Sequence, residues 1–268
     1  MSPLTTLIMA GRRAGNDDLA EATGHTHRAL LDVSGVPMLM RVVQTLRASP
    51  SVGRIAISID DPDSLDSLGE IAGIERHRSL ASPSASLSDF LGQLPENEPL
   101  LVVTADHALL TPEMVEHFIG ACAASDADVL VALVESQLLQ TRYPETTRTY
   151  LRFGNEAFSG ANLFAFRTPD ARRAAEFWIR AERFRKRPWR LVATFGFVSL
   201  LQFALHRLDL DAALTRASQV MGAQVEAVRM PFAEAAIDVD RASDLALVEE
   251  ILSHRDAGRV VPPPTSTG

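Results

Sequence analysis

A glycine and two arginines follow the first apolar run of the chain. The run Leu7-Ile8-Met9-Ala10 leads directly into Gly11, Arg12 and Arg13. Glycine lets the backbone come close to a ligand, so that successive N–H groups can converge on an anion. Arginine adds a permanent charge whose fork of donors matches phosphate oxygens. The loop therefore indicates a binding site for a polyphosphate, although turns between strands and helices also use glycine for steric reasons alone.

Two later groups of acidic residues are candidates for binding a metal ion. Asp106 directly follows an apolar run, and because Thr111 already offers a cap for the next helix, the Asp106 carboxylate can face a ligand. The alternation in Ile237-Asp238-Val239-Asp240 puts both aspartates on one face of an extended segment, and Asp238 is the better candidate for a second metal contact. The alternative is that these acids, with Asp244, only cap the following helix. Hard cations such as Mg²⁺ take carboxylate and phosphate oxygens together.

Strand and helix patterns alternate along the first half of the chain. The predicted strands are Leu4 to Ala10, Arg54 to Ile59, Pro99 to Ala105 and Asp128 to Val134. The predicted helices are Pro37 to Ala48, Asp63 to Ala72, Ser86 to Leu94 with Ser86 as its cap, and one that begins after Thr111. This alternation predicts an α/β fold with a mostly parallel sheet. Ligands of such sheets bind beyond the carboxyl ends of the strands, where Gly11 and Asp106 lie.

Composition narrows the class of protein. A chain of 268 residues, 46% of them hydrophobic, can bury a substantial core. The net charge of -8 argues against a general nucleic-acid surface. The single Cys122 excludes an internal disulfide framework and predicts core packing in a reducing, cytoplasmic location, since no signal-peptide pattern is visible. His25, His27 and His107 match no zinc motif, which predicts polar loop positions for them.

Three segments of the second half allow more than one interpretation. Phe195 to Leu205 is apolar but too short to span a bilayer, so no transmembrane segment is expected. A buried helix, a contact in a homo-oligomer and a surface that docks on a membrane remain open for it. Arg183 to Arg190 contains the only lysine and is either a solvated face or a site for an acidic acceptor or a lipid headgroup. The sequence of residues 256–268 predicts a disordered tail.

Four motifs, in this order along most of the chain, resemble the nucleotidyltransferases of the glycosyltransferase-A-like fold. They are Leu7 to Arg13, His27 to Leu39, Val103 to Thr111, and Ile237 to Leu245. The similarity is to the group of molybdenum-cofactor guanylyl- and cytidylyltransferases, the MobA-like NTP transferases. It implies a three-layer α/β/α sandwich with a mostly parallel, Rossmann-like mixed sheet. One domain would span residues 1–255, with a nucleotide-binding half over about 1–125 and an acceptor-side half over about 126–255.

The resemblance also implies a reaction and a set of site residues. A nucleoside triphosphate and a phosphorylated small molecule or lipid headgroup would give a nucleoside diphosphate adduct and pyrophosphate, with Mg²⁺ or Mn²⁺ as cofactor. Arg28 and Asp106 would be catalytic. The nucleotide would contact Ala10, Gly11, Arg12, Arg13, Arg28, Ser82 and Ser86; the metal would be held by Asp106 and Asp238; the acceptor would face Asn162. A hydrogen bond at a turn or strand end is the alternative for Asn162.

Departures from the family pattern keep two other functions open. Arg28 stands where the family keeps a lysine, Ala108 stands where proline is common, and Gly15 to Thr26 is a long acidic loop. These changes are compatible with a nucleotide-binding pseudoenzyme or regulatory module. A glycosyltransferase that uses a nucleotide sugar is the third hypothesis, but this class commonly has two acids around one residue where Asp106 stands alone.

Overall fold

The computed structural model describes residues 3–12, 27–69, 71–184, 201, 205 and 207–257. Its strands are β1 Leu4–Met9, β2 Asp32–Val33, β3 Val36–Pro37, β4 Val52–Ile59, β5 Glu75–Arg78, β6 Leu100–Thr104, β7 Val129–Glu135, β8 Leu151–Phe153, β9 Glu156–Phe166 and β10 Val225–Arg229. Its α-helices are α1 Met38–Arg47, α2 Pro83–Gln93, α3 Pro112–Ala123, α4 Ser136–Arg142, α5 Ala171–Phe184, α6 Leu210–Met221 and α7 Ala242–Asp256. Short 3₁₀ helices cover Arg28–Leu30, Pro62–Leu68 and Ala233–Ala236.

One mixed sheet forms the centre of the molecule, with the strand order β10-β7-β9-β6-β1-β4-β5 and with β8 paired to β9. Neighbouring strands are parallel from β6 through β1 and β4 to β5, and β10 is parallel to β7. The long strand β9 is antiparallel to its neighbours β6, β7 and β8. The predicted α/β class with a mostly parallel, mixed sheet is confirmed.

The two faces of the sheet are each covered by helices. Side chains alternate along the central strands, so that Ile8 and Val103 lie in one apolar core and Leu7 and Val102 lie in the other. Helices α1, α3 and α7 pack in the first core, whereas α2 and α5 pack in the second. This arrangement is the three-layer α/β/α sandwich that the sequence predicts. Cys122 is buried in the first core.

Two of the predicted helices are wrong in their bounds or type. The helix predicted to start at Ser86 begins at Pro83, because Ser82 accepts a hydrogen bond from the Ala85 backbone N at 3.3 Å and proline suits the first turn. The helix predicted over Asp63 to Ala72 is the 3₁₀ helix Pro62–Leu68, which ends at Gly69 with a φ of 70°. The predicted cap Thr111 is confirmed, since its side chain accepts from the Met114 backbone N.

The loops after three parallel strands meet at one edge of the sheet. The Ala105 backbone N donates to the carbonyl of Met9 at 3.0 Å, which joins the ends of β6 and β1. The Ala10 backbone N donates to the carbonyl of Ser58 at 2.8 Å, which joins β1 to β4. The Val239 backbone N donates to the carbonyl of Asp106 at 3.0 Å, so the extended segment before α7 reaches the same edge.

Several predictions of the sequence concern residues outside the described ranges. These are Arg13, the acidic loop up to Thr26, most of Phe195 to Leu205, the basic segment after Phe184 and the tail after Ala257. No helix among the described residues is long and apolar enough to cross a membrane.

Candidate active site

Two adjoining cavities lie at the edge of the sheet where β1, β4 and β6 end. The smaller, of about 360 Å³, is lined by the residues after β1, by His27 and Arg28, and by Asp106. The larger, of about 760 Å³, shares Gly11, Arg12 and Asp106 with it. The cavities are therefore two parts of one open cleft at the carboxyl ends of the strands, which is where sheets of this class bind ligands.

The larger cavity has an apolar wall and a wall of hydroxyl groups. Phe164 of β9 and Trp178 of α5 form the apolar wall, with ring centroids 6.1 Å apart. Ser82 and Ser86, which the resemblance assigns to the nucleotide, also line this cavity. The Ser86 hydroxyl donates to the carbonyl of Ser82 at 3.0 Å and accepts from the Leu80 backbone N at 2.8 Å, so it fixes the shape of this segment. The cavity therefore offers both apolar and hydroxyl contacts to a ligand.

The loop after β1 lines both cavities. Ala10 is buried, and a Cβ atom added to Gly11 would lie 3.0 Å from the Ser79 hydroxyl oxygen. A side chain at position 11 would therefore crowd the wall of the larger cavity. The Arg12 backbone N and Nε each lie 3.0 Å from a carboxylate oxygen of Asp60, which directly follows β4. The loop is thus held against the end of a neighbouring strand.

Three carboxylates converge beside this loop. One oxygen each from Asp106, Asp238 and Asp240 lies within 4.8 Å of the others. The sequence predicts Asp106 and Asp238 as a pair, and the structure brings them together. Asp240 is an addition to that pair, because the alternating segment turns both of its aspartates to the same side while Val239 is buried. Asp240 also forms an ion pair of 2.9 Å with Arg28.

The donor set suits a hard divalent cation. Three carboxylate oxygens with partly exposed side chains offer the hard oxygen ligands that Mg²⁺ and Mn²⁺ prefer, and the open cleft leaves room for water and phosphate oxygens. No histidine or cysteine of the described residues belongs to the group. Asp106, Asp238 and Asp240 could therefore hold such an ion.

Asp238 is held in place from two sides. The guanidinium of Arg148 donates to its Oδ1 and, at 2.9 Å, to its backbone carbonyl. The side-chain amide of Asn162 donates to its Oδ2 at 3.1 Å. Asn162 has a φ of 53°, a left-handed conformation that asparagine adopts more readily than most residues. Asn162, which the resemblance places on the acceptor side, therefore contacts Asp238, one of the three converging carboxylates.

Asp244 belongs to the cap of α7, which is the alternative role that the sequence offers for it. Its Oδ2 accepts hydrogen bonds from the backbone N of Asp240 at 3.1 Å and of Arg241 at 2.9 Å. Its Oδ1 also accepts from Arg148 at 3.2 Å. Arg148 therefore connects the start of α7 to Asp238, and α7 in turn fixes the segment that carries the acids.

His27 and His107 lie in loops, as predicted, but neither is exposed to solvent, and His25 lies outside the described residues. Both His27 and His107 are buried. His27 can be buried because both ring nitrogens have partners: Nδ1 accepts from the Ala29 backbone N at 3.1 Å, and Nε2 lies 3.0 Å from Asp60 Oδ1. His107 is buried because its flanking residues, Ala108 and Leu109, pack in the core.

Burial of His107 predicts a specific sensitivity to acid. Burial, with the nearby charge of Arg255, lowers the pKa of His107 to about 4. An unfolded chain binds a proton at this residue below a pH of about 6.5, whereas the folded protein does so only near pH 4. The group therefore lowers stability as the pH falls between these values, by about 2 kcal/mol from pH 7 to pH 5.

Urea denaturation at pH 7 and pH 5 measures this loss. In a His107→Gln protein, the part of the pH dependence that comes from His107 should be absent. His117→Gln is the matched control, because His117 is exposed on α3 and the variant makes the same replacement outside the core. Equal slopes in all three proteins would show that His107 does not titrate differently in the folded state.

Sequence reasoning misses Asp60 and Arg148. Asp60 could have been found, because it follows a predicted strand in the same way that Asp106 does. Arg148 offers no such signal, since it lies in the irregular segment between α4 and β8 and its partners are about ninety positions later in the chain. The contacts of Arg148 with Asp238 and Asp244 therefore form only when the tertiary structure brings these residues together.

Comparisons with known proteins agree with this geometry. The family model of the MobA-like NTP transferase domain matches residues 10–152. A hypothetical transferase from Thermus thermophilus is 28% identical with a TM-score of 0.77, and the match covers 91% of this chain and all of that one. A search of curated proteins finds no match.

Two more distant structures share the fold. CMP:2-keto-3-deoxy-manno-octonic acid synthetase complexed with CTP is 13% identical with a TM-score of 0.57, over 95% of this chain and 100% of that one. The 4-diphosphocytidyl-2C-methyl-D-erythritol synthase from Anaerococcus prevotii is 12% identical with a TM-score of 0.56, over 94% and 96% of the two chains.

Proposed function

Because this chain belongs to the MobA-like NTP transferase domain family and is a nucleotidyltransferase, we propose that it transfers NMP from an NTP to a phosphorylated acceptor with release of pyrophosphate. The acceptor would be a small molecule or a lipid headgroup that carries a phosphate. The observation that carries the proposal is the position of three carboxylates beside an arginine-lined cavity at the carboxyl ends of β1 and β6.

The reaction needs charge neutralisation and alignment more than it needs covalent chemistry. An oxygen of the acceptor phosphate forms a bond to the α-phosphorus, and the bond from that phosphorus to the β-phosphate breaks, so that its electron pair leaves with pyrophosphate. A bound Mg²⁺ or Mn²⁺ ion would supply positive charge to the triphosphate and to the leaving group. Asp106, Asp238 and Asp240 would hold that ion.

The remaining site residues would bind and orient the nucleotide. Ala10 and Gly11 would let the backbone approach the triphosphate, and Arg12, Arg13 and Arg28 would contact its oxygens. Ser82 and Ser86 would shape the cavity for the base and ribose. Asn162 would lie on the acceptor side of the carboxylates. The ion pair between Arg28 and Asp240 supports a shared role, since it links a phosphate-binding cation to the metal-binding group.

We further propose that the protein is cytoplasmic and does not bind nucleic acid. Its single, buried cysteine suits a reducing compartment, and its net charge of -8 disfavours a polyanion outside the cleft. The proposal also includes a peripheral contact with a membrane and a homo-oligomer. Both rest only on the apolar sequence around residues 195–205.

A two-stage assay tests the proposed function. Thermal shifts with ATP, GTP, CTP and UTP, each with and without Mg²⁺, should show one triphosphate that stabilises the protein most in the presence of the metal. That triphosphate is then incubated with a panel of sugar phosphates, alcohol phosphates and lipid-headgroup phosphates. Pyrophosphate should appear with one acceptor class and disappear when EDTA is added.

Each other outcome points to a different function. Tight triphosphate binding without pyrophosphate release across the panel would favour the nucleotide-binding pseudoenzyme. That alternative is considered because Arg28 stands where the family keeps a lysine. Cleavage of a sugar nucleotide without pyrophosphate would favour a glycosyltransferase. Absence of binding to all four triphosphates would overturn the proposal.

A further inference from the structure

Asp60 joins the two segments that carry the phosphate-binding arginines. Its Oδ1 accepts from the Arg12 backbone N at 3.0 Å and lies 3.0 Å from His27 Nε2, while its Oδ2 lies 3.0 Å from Arg12 Nε. Arg12 and His27 are fifteen positions apart in the sequence. A single carboxylate therefore sets the distance between the loop after β1 and the 3₁₀ helix that starts with Arg28.

The hydrogen bonds of His27 fix its tautomer. The Ala29 backbone N donates to His27 Nδ1, so this nitrogen carries no proton in the folded protein. The neutral ring then has its proton on Nε2 and donates it to Asp60, an assignment that follows from the donors around the ring. Because His27 also caps the 3₁₀ helix Arg28–Leu30, the position of Arg28 depends on His27, and the position of His27 depends on Asp60.

The environment keeps the Asp60 carboxylate ionised. Burial alone would raise its pKa, but the hydrogen bonds from His27 and Arg12 outweigh burial and lower it. Asp60 lies outside the described lining of both cavities, whereas Arg12, His27 and Arg28 belong to the lining of the smaller one. Asp60 is thus placed to act on a ligand through these neighbours and not by direct contact.

We propose that Asp60 is a positioning residue for the triphosphate. Through Arg12 directly, and through His27 to Arg28, it holds two cations at the separation that lets them bind one polyphosphate from two sides. The inference rests on the proposed nucleotidyl transfer and extends it from the residues that touch the nucleotide to one that arranges them. A residue of this kind is worth about tenfold or more in ligand affinity or activity, as is known for groups that orient metal ligands.

The test compares Asp60→Asn with Asp61→Asn. Asparagine keeps the size of the side chain and an oxygen that can accept from the Arg12 backbone N and from His27 Nε2, but it removes the charge and puts an amide donor where Oδ2 pairs with Arg12 Nε. Asp61 is the next residue and is exposed, so its replacement makes the same change in charge without these contacts. The probe is the Mg²⁺ complex of the triphosphate that stabilises the wild-type protein most, measured by calorimetry.

We expect the dissociation constant to rise about tenfold or more in Asp60→Asn and to stay within about twofold in Asp61→Asn. A purely structural role would lower the melting temperature without this change in affinity. Nitrogen-15 NMR of the histidine rings gives a second signature: the Nε2–H resonance of His27 should shift in Asp60→Asn, because a neutral amide oxygen replaces the carboxylate that accepts its proton, and should not shift in Asp61→Asn.

The outcomes separate this inference from the proposed function. Wild-type affinity in a folded Asp60→Asn protein overturns the inference alone, and the proposed function stands. A wild-type protein that binds none of the four triphosphates overturns both. Should Asp60→Asn not fold, Asp60→Glu replaces it, because the charge stays while the carboxylate moves; the inference then expects affinity reduced at least about threefold, and wild-type affinity overturns it.

Discussion

An Asp106→Asn protein is expected to lose magnesium-dependent turnover by about 10²–10³-fold, because the loss of one preorganised charge at such a site costs that much. The substitution removes one of three carboxylates whose oxygens lie within 4.8 Å of one another. The remaining two would hold a divalent ion less tightly and would balance less of its charge. The same change should also reduce the thermal shift that Mg²⁺ produces in the presence of the triphosphate.

Stability should not fall with activity. Asparagine keeps an oxygen that can accept from the Thr104 hydroxyl, which donates to Asp106 Oδ1, and the hydrogen bond from the Val239 backbone N to the Asp106 carbonyl does not involve the side chain. Removal of one negative charge also reduces repulsion from Asp238 and Asp240. The melting temperature without metal should therefore be unchanged or slightly raised, as is common when a functional site gives up a strained arrangement of charges.

Initial rates of pyrophosphate release and melting curves, each with and without Mg²⁺, measure both effects. Asp66→Asn is the control, because Asp66 is 69% exposed on the 3₁₀ helix Pro62–Leu68 and makes a surface ion pair with Arg76. Its rate should equal that of the wild type. An Asp106→Asn protein that melts much earlier yet responds to Mg²⁺ as before would assign Asp106 to the fold and not to the metal.

The fold was predictable where local sequence determines local structure. The buried runs that became β1 and β6, and the cap at Thr111, depend on neighbours within a few positions, and the structure confirms them. The sequence predicts the cap of α2 four positions late, because Ser82 and Ser86 are both good caps and only the proline at position 83 separates them. Strand β9 was not predicted, since its pairing with β6 and β7 joins residues far apart in the chain.

The residues of the candidate site likewise fall into those that local sequence indicates and those that only the tertiary structure brings together. Gly11 and Asp106 were predictable because each directly follows a predicted strand of a parallel sheet, and Asp60 follows one as well. The ion pair between Arg28 and Asp240 joins residues 212 positions apart, and no local pattern could indicate it. Local sequence thus indicates the groups that follow strands, but not the cations that the tertiary fold places against them.

Arg148 illustrates the second kind of group, and its replacement should have the largest effect on stability. Its side chain is only 8% exposed, and it pairs with Asp238 and Asp244. Both carboxylates are partly buried, so an Arg148→Gln protein would leave two charges with restricted access to solvent and without their main cation. Breaking a buried ion pair from one side costs about 3 kcal/mol or more of unfolding free energy.

The control is Arg229→Gln. Arg229 also pairs with two carboxylates, Glu135 and Glu156, but its side chain is 47% exposed. Surface pairs of this kind contribute less than about 1 kcal/mol, so urea denaturation should distinguish the two variants clearly.

Magnesium should separate the two roles of Arg148. Without its guanidinium the carboxylate group has a higher negative charge, so Mg²⁺ should recover part of the lost stability in Arg148→Gln and none in Arg229→Gln. Recovery of this kind would link Arg148 to the charge balance of Asp106, Asp238 and Asp240 as well as to the start of α7. If Arg148→Gln costs no more than Arg229→Gln, then Asn162 and the backbone suffice to hold Asp238, and Arg148 has no special part in the site.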